Sequence, residues 1–256
     1  MRIEAGQVAV ITGGGSGIGR ALAFACAARG LYVAIADIES AAADETVRLL
    51  QHKGGRAFAQ QVDVTKPEHL SAFAERTYSE FGRCDLLCNN AGVLVLGPLV
   101  NATAADWKWV LDVNLYGVLH GLDAFLPRML EAARPAHILN SVSLRGVAGS
   151  PGCGVYAASK YGVLALTETL HAELADRKIG VTALCPWSVN TAIVVSERNR
   201  PDARSMSAEA LQKLIDAAPS SAITIEPDQV AQVALEAVED NELYAITHPC
   251  ARDLLK

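Results

Sequence analysis

Two residues set four apart, Tyr156 and Lys160 in the stretch YAASK, join a phenol and an ammonium in what reads as the first turn of a helix. On a helix, residues i and i+4 share a face, about 5–6 Å apart at Cβ. A phenol with a pKa of about 10 is a poor base at neutral pH. Bringing it to about 7 takes ~4 kcal/mol of preferential phenolate stabilisation, at about 1.36 kcal/mol per unit. A neighbouring unit charge at about 4 Å supplies about that much at an effective dielectric of about 20, so the pair has the make-up of a proton-transfer device. The same spacing continues through Val163, Leu164, Thr167, Leu170 and Leu174, a stripe suited to the core. A second reading has Lys160 carry its charge out to water while Tyr156 packs, and the pair alone leaves both open.

Other polar residues recur where strand-like runs end. The run QVAVIT leads into TGGGSGIG, Thr12 to Gly19, with glycines at 13, 17 and 19 and Ser16 and Ile18 between them. Glycines let backbone N–H groups approach an anion, and a helix start directs its positive end to the same place. This is not the GxGxxG spacing of long dinucleotide-binding domains, and three glycines alone mark no more than a tight turn. Some twenty residues on, Asp37 ends a second run, where a carboxylate can accept both hydroxyls of an adenosine ribose or simply begin a loop. Asp63-Val64 and Asn89-Asn90-Ala91-Gly92 close the next two runs, and their residue types also favour ordinary turns. Asn114 interrupts an apolar stripe of Trp107, Val110, Leu111, Val118, Leu122 and Phe125. A buried amide there needs partners, and tying the helix to a neighbouring backbone would provide them. Ser141 and Ser143, in LNSVSLRG, arrive at the edge where Tyr156 begins its helix.

The elements that must position these groups follow from periodicity. Strands are predicted near Val8–Thr12, Tyr32–Asp37, Ala57–Val62, Leu86–Cys88, Ala136–Ser141, Gly180–Leu184 and Tyr244–Ile246. Helices are predicted near Gly17–Arg29, Ala41–His52, Pro67–Phe81, Asp106–Ala133, Tyr156–Asp176 and Pro227–Val238. The alternation describes an α/β chain, a doubly wound parallel sheet of about seven strands with helices on both faces. Nothing divides the 256 residues, so one domain over 1–256 is expected. The interruption from Trp187 to Glu226, with a short helix near Ala208–Ala217, reads as a lid over a ligand.

Composition narrows the function classes. A formal charge of −6 and no basic stripe disfavour nucleic acid and anionic membranes as partners. The first strand leaves no room for a signal peptide and no apolar run spans a bilayer, so a cytoplasmic enzyme or binding protein is expected. Cys26, Cys84, Cys88, Cys153, Cys185 and Cys250 are scattered without a CxxC pair, and no His/Cys cluster suggests a metal.

Together TGGGSGIG, NNAG, Asn114, Ser143, YAASK and the Pro186/Thr191 pair resemble the classical short-chain dehydrogenase/reductase family over almost the whole chain. Tyr156 follows Ser143 by thirteen residues, as is usual in that family. The resemblance implies a Rossmann-like fold and a tetrad of Asn114, Ser143, Tyr156 and Lys160. It implies an NAD site formed by Gly13, Ser16, Gly17, Ile18, Gly19, Asp37, Asp63, Val64, Asn90, Ala91, Gly92, Tyr156, Lys160, Pro186, Val189 and Thr191. In that setting Tyr156 exchanges a proton with a secondary alcohol or ketone and Ser143 positions the substrate oxygen. Lys160 holds the nicotinamide ribose, and Asn114 anchors a relay water. Trp187 departs from the family's usual Pro-Gly. Leu94, Val95, Leu144, Arg145, Trp187, Ile193 and Val195 are the candidate substrate contacts, suggesting a hydrophobic, cyclic or aromatic small molecule. A homotetramer or homodimer is implied by the same resemblance. The alternative is a dinucleotide-binding regulator or scaffold that keeps the fold without turnover.

Overall fold

A computed structural model describes residues 1–146, 148–149, 151–201 and 224–248. Seven strands, β1 (Val8–Thr12), β2 (Tyr32–Asp37), β3 (Ala57–Gln61), β4 (Leu86–Asn89), β5 (Ala136–Ser141), β6 (Ile179–Cys185) and β7 (Tyr244–Ile246), form one parallel sheet. Their order is 3-2-1-4-5-6-7. Val10 is in register with Ala34 of β2 on one side and with Leu87 of β4 on the other.

Successive strand residues enter different cores, as the two-residue pleat requires. Val8, Val10, Ala34, Ala36, Leu87, Ile138 and Val181 face one layer, built by α3 (Pro67–Phe81), α5 (Gly117–Ala132) and α6 (Gly154–Glu173). Ala9, Ile11, Val33, Ile35, Leu86, Cys88 and Leu139 face the other, built by α1 (Gly17–Ala28), α2 (Ser40–His52) and α7 (Pro227–Asp240). Burial on both faces explains why these strands read as continuous apolar runs. Strand order reverses between β1 and β4, which opens a crevice at their carboxyl ends.

The predicted single helix from Asp106 is three pieces. α4 (Ala104–Leu111) leads through a π-helical turn, Asp112–Tyr116, into α5. The extra residue per turn rotates the stripe, so Trp109 is buried where Trp107 was expected and is only half-buried. Asn114 sits in the π turn and is fully buried. A 3-10 segment, Ala192–Asn199, follows β6 and begins the predicted lid. The predicted helix near Ala208–Ala217 and Cys250 lie outside the described residues. The five described cysteines are free and buried.

Candidate active site

The glycine turn is fixed by close approach. Gly13 has φ +69°, and a Cβ there would stand 2.9 Å from the Ala91 Cα. Asn90 clamps the turn, because its side-chain Nδ2 donates to the Thr12 carbonyl at 3.0 Å and its N–H to Thr12 Oγ1 at 3.0 Å. Gly19 is buried behind it, where a Cβ would collide with the Gly13 carbonyl at 2.0 Å. Ser16 precedes α1 with an exposed side chain that makes no capping bond, leaving the first-turn N–H groups of α1 directed at the cleft. Arg20 spends its guanidinium on the carbonyls of Gly15 and Ala42 and on Thr46 Oγ1.

Asp37 Oδ2 accepts from Gly15 N–H at 2.8 Å and Oδ1 from Glu39 N–H at 2.9 Å. Burial raises its pKa, while those two bonds oppose the shift. Asp63 holds its loop by accepting from the Thr65 N–H and hydroxyl at 2.9 and 2.8 Å. Gly13, Ser16, Gly17, Ile18, Asp37, Asp63, Val64, Asn90, Ala91, Gly92, Pro186 and Thr191 all line one cleft, which continues to Tyr156 and Lys160. Val189 stands off the cleft wall and packs against the α1 and α7 layer. Its neighbour Thr191 reaches the cleft, pressed against Gly17.

At the β4–β5 end, α6 buries both residues of the YAASK pair, with Tyr156 at 8% and Lys160 at 3% exposure. Lys160 Nζ donates to the Ser141 carbonyl at 2.7 Å and lies 5.7 Å from the Tyr156 ring centre. Lys160 therefore neither snorkels to water nor bonds the phenol. Burial lowers its pKa to about 8. Burial also pushes the Tyr156 phenol up to about 12, opposed first by a hydrogen bond with Ser143 and then by the charge of Arg145. In the protein by itself burial, not Lys160, has the largest effect on the phenol. The Ser143 hydroxyl also accepts from Arg145 N–H at 3.2 Å.

Asn114 Oδ1 accepts from Val93 N–H at 2.8 Å, and Nδ2 donates to the Val93 carbonyl and to Ser159 Oγ, both at 3.0 Å. Ser159 in turn donates to the Tyr156 carbonyl at 2.7 Å. The amide thus ties the π turn to the loop after β4 and to α6. Ser159 was missed in the sequence, although it stands inside YAASK. Also missed was Ser196, which joins the Ala192–Asn199 segment to that loop by accepting from Leu94 N–H at 2.8 Å and donating to its carbonyl at 3.2 Å.

The candidate substrate residues divide. Ile193 lines the cleft, with Val93, Trp109 and Val113 beside it. Leu144 and Val195 do not line it and are buried, Leu144 among the core residues of the α5 and α6 layer. Val95 packs against the small cluster of Val93, Trp109 and Val155. Leu94 does not line the cleft and is held to Ser196 through its backbone, and the Arg145 side chain is half-buried. Trp187, 43% exposed, meets His248 edge-on at 6.4 Å, and its backbone N–H donates to His248 Nδ1 at 3.3 Å. These placements follow from tertiary packing that apolar sequence composition does not encode. Among the described residues, no group of three His, Cys, Asp or Glu stands ready to hold a metal.

The family model for short chain dehydrogenases matches residues 7–202. The chain belongs to the short-chain dehydrogenase family. Relatives of similar length are known. One is the CLA biosynthesis dehydrogenase/reductase of Lactiplantibacillus plantarum, 32% identical over 95% of this chain and 88% of its own. Another is 3beta-hydroxysteroid dehydrogenase 1 of Eggerthella lenta, 36% identical over 93% of this chain and 89% of its own. A solved short chain dehydrogenase/reductase from Burkholderia phymatum, in complex with NAD, superimposes with a TM-score of 0.90. It is 37% identical and covers 98% of this chain and 92% of that one. The short-chain dehydrogenase fold, a parallel sheet flanked by helices, therefore positions the cleft described above.

Proposed function

We propose that this short-chain dehydrogenase is an NAD-dependent oxidoreductase that interconverts a secondary alcohol and its ketone. The observation that carries the reading is the shared cleft, which has Tyr156 and Lys160 at one end and the glycine turn and Asp37 at the other. The residues fit a dinucleotide, since the Gly13 approach leaves no room for a Cβ and the first turn of α1 has no side-chain cap. Gly13, Ser16, Gly17, Ile18, Asp63, Val64, Asn90, Ala91, Gly92, Pro186 and Thr191 would hold it, with Gly19 and Val189 supporting from behind. When bound, the nicotinamide supplies the two-electron oxidation or reduction of the substrate carbon.

Tyr156 exchanges the substrate proton at Oη, with Ser143 holding the substrate oxygen beside it. Lys160 gives its charge to this pocket and would grip the nicotinamide ribose. Asn114 spends three hydrogen bonds on the protein, which leaves one Oδ1 lone pair to anchor a relay water. A hydrophobic, cyclic or aromatic substrate is supported by Val93, Trp109, Val113 and Ile193 on the cleft wall, and one relative is named for hydroxysteroids. Residues 187–226 would form its lid on a single domain. A cytoplasmic homotetramer or homodimer completes the proposal, with the exposed Tyr116 of the π turn and Tyr161 of α6 supporting association through that face.

NAD is preferred because Asp37 would meet the 2′-phosphate of NADP. The repulsion is about 4 kcal/mol per pair of unit charges at about 4 Å and an effective dielectric of about 20, before screening. The two backbone bonds on Asp37 oppose its swinging away, and the Arg20 guanidinium is already engaged. NADH formation with a panel of hydrophobic secondary alcohols tests the activity. Tyr156→Phe is expected to lower kcat by about 10²–10⁴-fold with NADH affinity retained, and Lys160→Ala to damage both. Tight NADH binding with no turnover on any alcohol would instead favour the non-catalytic regulator. Asp37→Ala should erode the NAD preference in kcat/KM.

A further inference from the structure

At the end of the cleft away from Tyr156, Asp37, Glu39, Arg198 and Asn199 share a wall. Lys160 and Arg198 are the basic side chains among the described residues lining this cleft. Arg198 is not available to a ligand as it stands. Its Nη2 donates to Glu39 Oε1 at 2.5 Å, and Asn199 Nδ2 donates to the same oxygen at 2.9 Å. Glu39 is tied to Asp37 in turn, through its own N–H on Oδ1.

Arg198 has a second set of anchors. Its Nη1 donates to the carbonyls of Ala192 and Val195, at 3.3 and 3.0 Å, inside its own 3-10 segment. The guanidinium therefore keeps its position without Glu39, and only the edge bearing Nη2 depends on that carboxylate. Its charge already acts on Asp37, the carboxylate proposed to receive the adenosine ribose. A guanidinium with a free edge is well suited to grip a phosphate, whereas one neutralised by a carboxylate is not.

Resting on the NAD assignment above, we infer that Glu39 is a second determinant of cofactor choice: it withholds Arg198 from the 2′-phosphate of NADP and adds its own negative charge against it. Asp37 and Glu39 then act differently. Asp37 addresses the ribose directly, whereas Glu39 acts by occupying a cation that the lid segment supplies. The sequence gives no hint of this, because Arg198 lies 159 residues from Glu39.

The test is calorimetric binding of AMP and of adenosine 2′,5′-bisphosphate to the natural protein, Glu39→Gln, Arg198→Met and the double variant. Turnover with NAD and NADP is measured alongside. Glutamine keeps an acceptor for Asn199, so the contact between lid and rim survives. Glu39→Gln should improve binding of the bisphosphate relative to AMP by about 10- to 100-fold, the range for a charge-assisted phosphate contact. Adding Arg198→Met should remove most of that gain, while Arg198→Met alone should leave the ratio near that of the natural protein. A gain that survives in the double variant would overturn the part assigned to Arg198. No gain in Glu39→Gln, with the natural enzyme still favouring NAD, would overturn the inference and leave the NAD reading standing. Equal or better use of NADP by the natural enzyme would remove the NAD reading itself, and the inference with it.

Discussion

Burial acts on Tyr156 and Lys160 in the same sense, favouring the neutral form of each. The phenol rises to about 12 and the ammonium falls to about 8, so the protein alone holds an acid poorly suited to lose its proton. Ser143 and Arg145 are the two groups that pull the phenol back down, the first by a hydrogen bond and the second by charge. The proposed alcohol oxidation needs the phenolate, so removing either group should move the onset of activity to higher pH. Ser143→Ala and Arg145→Ala are each expected to shift the limb of the kcat/KM profile for oxidation upward by up to about one pH unit. Ser143→Ala should also lower kcat, since it removes the hydroxyl proposed to hold the substrate oxygen. Arg145→Ala should move the limb with a smaller loss of the plateau. An unmoved limb in Arg145→Ala would show that its charge does not reach the phenol in the working enzyme.

The π turn between α4 and α5 is the element on which the rest of the site leans. Its Asn114 bonds the Val93 N–H and carbonyl and Ser159, and Ser159 bonds the carbonyl of Tyr156. Asn114→Ala would leave several buried polar groups without partners, each costing about 1–3 kcal/mol before relaxation. A net loss of roughly 2–4 kcal/mol in urea unfolding is expected. A loss under about 1 kcal/mol would mean that neighbouring groups re-pair readily. Much of this architecture was legible in the sequence. The strands announce themselves as apolar runs because both faces are buried, and the glycine turn is readable because its backbone conformation restricts residue type. That Tyr156, Lys160 and Ser143 gather at one strand edge also followed from element order. The π turn did not, since it adds one residue to a helical pattern that otherwise continues. Trp109 was hidden by that same added residue, and Ser196 and the Glu39–Arg198 pair because each is defined by a partner distant in the chain.

At the scale of the molecule, the buried lysine carries a cost to stability that pH can expose. Lys160 is charged below about 8 when folded, whereas its ordinary value is 10.5. Below pH 8 both folded and unfolded states are protonated, and the full cost of burying the ammonium is present. Between 8 and 10.5 the unfolded state binds more protons, so stability rises with pH through this window. Above it both states are neutral and the cost is gone. At about 1.36 kcal/mol per unit the cost is of the order of 3 kcal/mol, offset in part by the bond to the Ser141 carbonyl. Tyr156 acts in the opposite sense and at higher pH, because a phenol raised from 10 to about 12 destabilises the folded state only as pH climbs past 10. The buried thiols of Cys26 and Cys185, raised to about 12, erode stability above 9. Comparing the natural protein with Lys160→Met cancels these other groups. Without cofactor, the variant should melt higher at pH 7, and its advantage should shrink steadily between pH 8 and 10. Chemical unfolding at constant ionic strength across that range measures the difference directly. A gap between the two proteins that does not change with pH would mean that Lys160 titrates in the folded protein as it does in water, and that water reaches the ammonium beside Tyr156.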